Sequence, residues 1–467
     1  MRAHTKLVPG SQSSAINQGL PYFIRRYAGF YYACFALYAV LGRAFAYAGT
    51  APVFISEILL SAGVSVAIFL AKPGRLGGSL LGFLLILFGL WQASCTAPYL
   101  ATYGVDALRD AAAWGYAAFG WIVAAILYRY PVMMDQLFER YKRFARWYVL
   151  FAPLSLLATW YLADVLPRVP GTDVTIPFLK PGDMLVHVAG IIAFFLAGMA
   201  PWNQLWLVPA LAGVIVGGSR TRGGLVALLC ATVLVGVVRR DSRHVVQMAG
   251  AFLGVAILLI VSGVQFLLPG SSREISADQM FANIKSLASA EPESDLDNTK
   301  QWRLEWWNRI IDYTINGDLF WTGKGYGINL ADDDGFQVAG DTQMPLRSPH
   351  NSHLTFLARS GVPGLLLWGS VQLTWLALMI QSFLRSQRLK LFEWNAIFLW
   401  VIAYWLAFMI NASFDVSLEG PMSAIPFWAI FGLGWGAQLV FSTSYGHLLR
   451  SRCPAPQDAP LILSLGI

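Results

Sequence analysis

Charge is what this sequence has least of. Asp, Glu, Lys and Arg make up 13% of its 467 residues, against roughly 25% in a soluble domain. That scarcity excludes an ordinary soluble enzyme, and 56% hydrophobic residues exclude a disordered chain. Cysteine is scarce as well: Cys34 and Cys230 lie inside apolar runs, Cys95 closes one, and Cys453 is near the C-terminus. No CxxC or Cys/His spacing occurs, so neither a disulfide framework nor a zinc module is expected. The first 20 residues lack an apolar core segment, so no cleavable signal peptide is expected, and no internal repeat is visible.

What is present is a series of apolar runs. A membrane-spanning helix needs about 20 predominantly apolar residues. Candidate spans fall at 27–47, 53–71, 76–94, 110–128, 146–164, 183–200, 202–218, 223–238, 245–268, 362–384, 392–411 and 421–441. The expectation is an all-α polytopic membrane protein of about twelve transmembrane helices. It divides into an N-terminal tail (1–26), nine spans (27–268), a large loop (269–352), three spans (353–441) and a C-terminal tail (442–467).

The net charge of +7 suits this organisation without any nucleic-acid partner. Basic residues crowd the even connections: Lys72 and Arg75; Arg129, Arg140, Lys142, Arg143 and Arg146; Arg239, Arg240 and Arg243; Arg385, Arg388 and Lys390. Positive charge marks the cytoplasmic side, which places both termini inside and the loop 269–352 outside. That loop carries half of the 26 carboxylates. In DNTKQWRLEWWNRIIDYTI (297–315), Trp302, Trp306, Ile310 and Tyr313 share one helical face, with Asp297 or Asn298 as cap. Such a helix should lie on the bilayer interface or on the ends of the spans. Residues 275–288 read as a weaker helix of the same kind.

Three outward segments concentrate polar groups. GGSRTRGGLVAL (217–228) sets Arg220 and Arg222 between apolar runs, where topology asks for no positive charge. They either bind an anion or snorkel to lipid headgroups. Arg303 lies beside Glu305 on the polar face of the loop helix, where a surface ion pair is the plainer reading. RSPHNSHLTFLARSGVPGLLLW (347–368) gathers Arg347, His350, Asn351, His353 and Arg359. A histidine there can act as general base near neutral pH. His350 and His353 are three apart, which permits a metal pair, but no third ligand stands out. Asp332, Asp333 and Asp334 read either as a hard-cation site or as an acidic turn. Asp415 and Glu419, between the last two spans, either orient a hydroxyl, pair with an arginine, or form a solvated turn.

Outer-face arginines offer permanent, bidentate positive charge for a diphosphate, and a nearby histidine can take a proton from a hydroxyl. Those two functions together describe glycosyl transfer from a lipid diphosphate-sugar. The competing class is a transporter or flippase of lipid-linked glycans. Transporters place charges near the midplane and are often built from repeats, whereas these charges cluster at one face.

The segments SRTRGGLVAL, WRLEWWNRIIDYTINGDLFWTGKGYGINL and PHNSHLTFLARSGVPGLLLW resemble, in that order along the chain, the motifs of the O-antigen ligase and O-antigen polymerase superfamily. The likeness covers about 218–370. It implies a GT-C-like glycosyltransferase of the bacterial inner membrane, with a large periplasmic loop, a periplasm-facing site and no metal, nucleotide or other cofactor. The donor it implies is a glycan on undecaprenyl diphosphate. The acceptor is lipid A–core in a ligase and a lipid-linked repeat unit in a polymerase of O-antigen or exopolysaccharide, a choice left open. By position, Arg222, Arg303 and His350 match the family's catalytic set. Arg220, Arg347, Asn351, His353 and Asp415 fall to substrate binding.

Overall fold

The computed structural model describes residues 20–50, 53–70, 76–201, 207–239, 295–337 and 346–450, with isolated positions between 247 and 275. The longer helices are α1 (Tyr22–Leu41), α2 (Ile55–Leu70), α3 (Leu80–Thr96), α4 (Val105–Gly115), α5 (Ala117–Arg129), α6 (Val132–Tyr161), α7 (Pro181–Leu196), α8 (Leu207–Gly218), α9 (Arg222–Arg239), α10 (Asp295–Thr314), α11 (Ser352–Arg388), α12 (Phe392–Ala412) and α13 (Pro421–Arg450). Sheet among the described residues is confined to two antiparallel pairs of two-residue strands, Gly49–Thr50 with Val53–Phe54 and Phe266–Leu267 with Glu274–Ile275. The chain is an all-α membrane protein.

Every expected apolar run but one is occupied by a helix, and the exception, 245–268, lies almost wholly outside the described residues. The weaker helix read at 275–288 also lies outside them, apart from Ile275 in a strand. Among the described residues, five helical stretches are long and apolar enough to cross a membrane: Leu80–Tyr103, α9, α11, α12 and the stretch Pro421–Gly446 of α13. The α4–α5 pair, bent by 41°, makes a sixth if it is one span, while α2, α7 and Pro209–Gly218 are shorter apolar helices. One expected connection is itself helical: α6 starts at Val132, so Arg140, Lys142, Arg143 and Arg146 stand on its first half.

Inside a bilayer, apolar burial drives helix association only weakly, so close packing must do the work. α12 and α13 occupy the centre, with Trp375, Trp400, Trp428, Trp435 and Tyr404 fully buried around them. Small residues bring α5 and α13 together: a Cβ on Gly432 would stand 2.4 Å from the Gly120 carbonyl. The helix directions give the bundle two ends. Arg129, Arg140, Arg143 and Arg388 lie at one, while the starts of α7, α9, α11 and α13 meet at the other.

α10 sits on that second end. Trp306 and Ile310 are fully buried against Leu357 and Ala358 of α11, and Trp302 and Tyr313 pack on the same cluster. The apolar face read from the sequence is therefore the buried one, and it rests on the end of a span. The helix begins at Asp295, so Asp297 and Asn298, the two caps read from the sequence, both lie inside it. α11 is broken at Gly361, whose φ of 67° takes it out of the helix. The break frees main-chain groups that the loop after α10 fills: Val362 N–H donates to Phe320 O (2.8 Å), Lys324 N–H to Ala358 O (2.7 Å) and Gly325 N–H to Arg359 O (3.0 Å). Only glycine fits the contact from either side. A Cβ on Gly361 would lie 2.3 Å from Phe320 O, and one on Gly323 would lie 2.5 Å from Ala358 O.

Candidate active site at the end of the bundle

Two charged groups assemble where α7, α9, α10, α11 and the α12–α13 connection meet. The first is built around Phe414 and Asp415. Asp415 Oδ1 accepts from the Val416 amide (2.8 Å) and faces Lys180 Nζ at 3.5 Å and His350 Nδ1 at 3.6 Å. Arg303 reaches down from α10 and donates through Nη1 to Phe414 O (3.0 Å). Arg222, the first residue of α9, is close enough to act electrostatically on Arg303. Gly223 permits this approach, since a Cβ there would stand 2.7 Å from Phe414 Cβ. Arg222, Arg303, His350 and Asp415, separated by up to 193 residues in sequence, thus converge on one connection.

The electrostatics follow from this crowding. Burial alone would raise the Asp415 carboxyl, but the Lys180 ammonium, then His350 and the Val416 amide, outweigh it and hold it below the ordinary range. Burial works against the Lys180 ammonium, yet Asp415 and Asp183 more than restore it, so its pKa is raised. The Arg303 guanidinium is lowered, first by burial and further by Arg222, with Asp415 opposing both. The group is an ionised carboxylate ringed by cations, with positive charge in excess.

His350 is held at φ 54°, a left-handed conformation that is uncommon for any residue but glycine. Its neighbours enforce this geometry. Trp307 Nε1 donates to Pro349 O (2.8 Å), and the Asn351 carboxamide caps α11 by accepting from the His353 and Leu354 amides (3.0 and 3.1 Å). With Nδ1 turned to Asp415, Nε2 is the nitrogen that remains for other chemistry.

The second group is built around Asp110 on α4. Its Oδ2 accepts from Arg359 Nη2 (3.0 Å), Arg347 Nη2 (3.1 Å) and the Gly327 amide (3.1 Å). Arg359 is 2% exposed and also donates to Gly325 O and Ile328 O while lying over the Tyr326 ring. This cluster clamps the Gly323–Ile328 turn to the bundle. Glu419 lies beside it, accepting from Thr355 Oγ1 (2.7 Å), and burial raises its pKa despite Thr355 and Arg359.

The remaining sequence candidates are placed as follows. Arg220 stacks over Trp160 at the end of α6, 5.3 Å from the ring centroid, so its head is turned to that helix. Arg347 braces the glycine turn through Asp110 and Gly327 O (3.0 Å). Asn351 is the helix cap. His353 accepts from Trp368 Nε1 at Nδ1 (3.1 Å) and gives Nε2–H to Met409 O (3.3 Å), so both ring nitrogens face partners within the bundle. Asp333 and Asp334 close on Lys324, and Asp334 also accepts from Trp306 Nε1 (2.7 Å).

Sequence reasoning passed over Lys180 and Asp110. Lys180 stands directly before the Pro-Gly that opens α7, and Asp110 sits at the edge of an apolar run. Charges at those positions were the available signal.

The fold and the site together define a polytopic membrane protein whose polar chemistry is gathered at one end of its helical bundle. Residues 207–369 match the family model described as O-antigen ligase. The matched stretch carries Arg222, Arg303 and His350 and the loop between them. It gives the activity its class, that of a membrane ligase or glycosyltransferase. No curated protein matches the chain.

Proposed function

We propose that the protein transfers a glycan from undecaprenyl diphosphate to a sugar hydroxyl, at a site facing the periplasm of a bacterial inner membrane. The observation that carries this reading is the convergence of Arg222, Arg303 and His350 on the Phe414–Asp415 connection. Arg222 and Arg303 bind the diphosphate and neutralise its charge as the anomeric C–O bond breaks. His350 Nε2 takes the proton from the acceptor hydroxyl as its oxygen attacks the anomeric carbon with inversion. Asp415 keeps Nδ1 protonated and stabilises the imidazolium that forms, and Lys180 keeps Asp415 ionised. The leaving diphosphate carries its charge away between the arginines, so no general acid and no metal is needed. Of the two candidate arginines on the α8–α9 turn, Arg222 is assigned to the diphosphate because its charge reaches Arg303.

In this reading the chain spans the membrane about twelve times with a GT-C-like arrangement, both termini are cytoplasmic, and α10 caps the donor site. Accessibility labelling of single cysteines at the two bundle ends tests that orientation.

Transfer from purified lipid-linked glycan tests the function, with a lipid A–core acceptor and a second lipid-linked glycan offered in parallel. Transfer to the first makes the protein a ligase, and transfer to the second makes it a polymerase. Normal turnover by both Arg303→Ala and His350→Ala would overturn the site. The transport reading is the alternative: glycan crossing the bilayer without a new glycosidic bond would establish it.

A further inference from the structure

We infer that Trp302 is the platform on which the acceptor's sugar stacks while His350 takes its proton, an inference that rests on the proposed transfer reaction. Trp302 lies on α10, one residue before Arg303. Successive residues of an α-helix point about 100° apart. The helix thus sends a guanidinium to Phe414 O on one side and sets an indole beside His350 on the other. The Trp302 and His350 ring centroids are 6.3 Å apart, with the planes inclined at 62°. Trp306 and Phe336 hold the indole in place, each edge-on to it, at 5.3 and 6.2 Å between centroids. The other two indoles of α10 have their N–H groups engaged inside the protein, Trp306 with Asp334 Oδ2 (2.7 Å) and Trp307 with Pro349 O (2.8 Å). Trp302 is half-buried, and its N–H meets no acceptor among the described residues.

A part-exposed indole beside a general base suits one ligand chemistry. A pyranose has an apolar face of C–H groups and a rim of hydroxyls, and tryptophan answers with an apolar body and a polar tip. The acceptor is the substrate that must come to this side. Its attacking hydroxyl has to stand within about 2.6–3.2 Å of His350 Nε2, and with the two ring centres 6.3 Å apart a sugar so placed brings its own ring to the indole. The donor's diphosphate belongs to the Arg303 side of α10. His350 does not need the indole to keep its conformation. Trp307 on Pro349 O, the Asn351 cap and Asp415 facing Nδ1 already set it. The ring is therefore available to the substrate and fixes which face of the acceptor sugar meets the base.

The test is steady-state transfer by the full-length protein in nanodiscs. Lipid A–core or lipid-linked glycan, whichever the parent uses as acceptor, is varied at saturating donor, and then the donor at saturating acceptor. Trp302→Leu keeps apolar bulk against Trp306 but offers no aromatic face. It should raise the acceptor KM by roughly 30-fold, the effect of losing an indole anchor, with kcat and the donor KM within about twofold of the parent. Trp302→Phe keeps a ring and loses the N–H, and should raise the acceptor KM only about fivefold. An acceptor KM within about twofold of the parent in either variant overturns the inference. A lowered kcat at unchanged acceptor KM makes the ring a prop for His350 and overturns it too, as does a rise confined to the donor KM, which puts the ring on the donor glycan. In each of these cases the glycosidic bond still forms and the transfer reading stands. A parent that forms no such bond overturns that reading, and this inference with it.

Discussion

Replacing Asp110 by Asn should loosen the glycine turn without disturbing the bundle core. The substitution keeps the size of the side chain and an acceptor for the Gly327 amide, but it removes the charge shared by Arg347 and Arg359. Arg359 is 2% exposed, so water cannot replace the lost carboxylate, and breaking a buried pair from one side costs about 3–5 kcal/mol. The two carbonyls and the Tyr326 ring that remain around Arg359 put the expected value at the lower bound, about 3 kcal/mol. The Arg347 side chain is 25% exposed, so its own contribution is discounted to about 1 kcal/mol or less. Hydrogen–deuterium exchange in detergent or nanodiscs reads these numbers locally, because stability differs from region to region. Amides of residues 323–330 should exchange roughly 150-fold faster in Asp110→Asn, and about fivefold faster in Arg347→Met. Amides in α12 should not change. Adding Asp110→Asn to Arg359→Met should bring little further loss, since each removes the same interaction. If exchange over 323–330 in Asp110→Asn stays within twofold of the parent, the clamp is not what holds the turn.

The other predictions concern the transfer site and the break in α11. His350→Gly and His350→Ala should both abolish transfer, but the glycine variant should be the more stable by about 1 kcal/mol, because φ 54° is strained for alanine and ordinary for glycine; paired thermal unfolding curves decide it. Arg303→Lys should not rescue Arg303→Ala in transfer assays, because a point charge cannot replace a planar fork on a diphosphate. Lys180 and then His350 outweigh burial and hold the Asp415 carboxyl below its ordinary value of 3.8, so its contribution is fully present above that pH and is lost as pH falls from there through the lowered folded value. An acid titration followed by tryptophan fluorescence should therefore show a steeper loss below about pH 4 for the parent than for Asp415→Asn. Gly361→Ala should push the loop off α11 and lower both transfer and thermal stability; unchanged values for both would refute the main-chain pairing.

The sequence announced its helices because the membrane imposes a long apolar pattern, and that pattern is local. It also announced the buried face of α10, since Trp302, Trp306 and Ile310 repeat at helical spacing. The motifs around Arg222, Arg303 and His350 were legible as segments, but nothing in their spacing told that Phe414 and Asp415 are the floor on which they meet. Pairings such as Lys180 with Asp415 or Asp110 with Arg359 join residues more than 200 positions apart, and no periodicity records them. Charge density misled where α6 begins. Arg140, Lys142 and Arg143 read as a connection, yet a helix tolerates them once it has left the apolar layer. Asn351 and His353 drew notice as polar residues beside His350, whereas one terminates the helix ladder and the other is bonded inside the bundle.

The main-chain pairing between the broken α11 and the loop from Phe320 to Gly325 bears on how substrates come and go. A flap that swung at this point would have to break three hydrogen bonds at once, at Phe320, Lys324 and Gly325. The loop here is part of the wall. On the proposed function, a lipid-borne glycan reaches the site without a cover hinged at this point, because the three main-chain bonds hold the loop to α11.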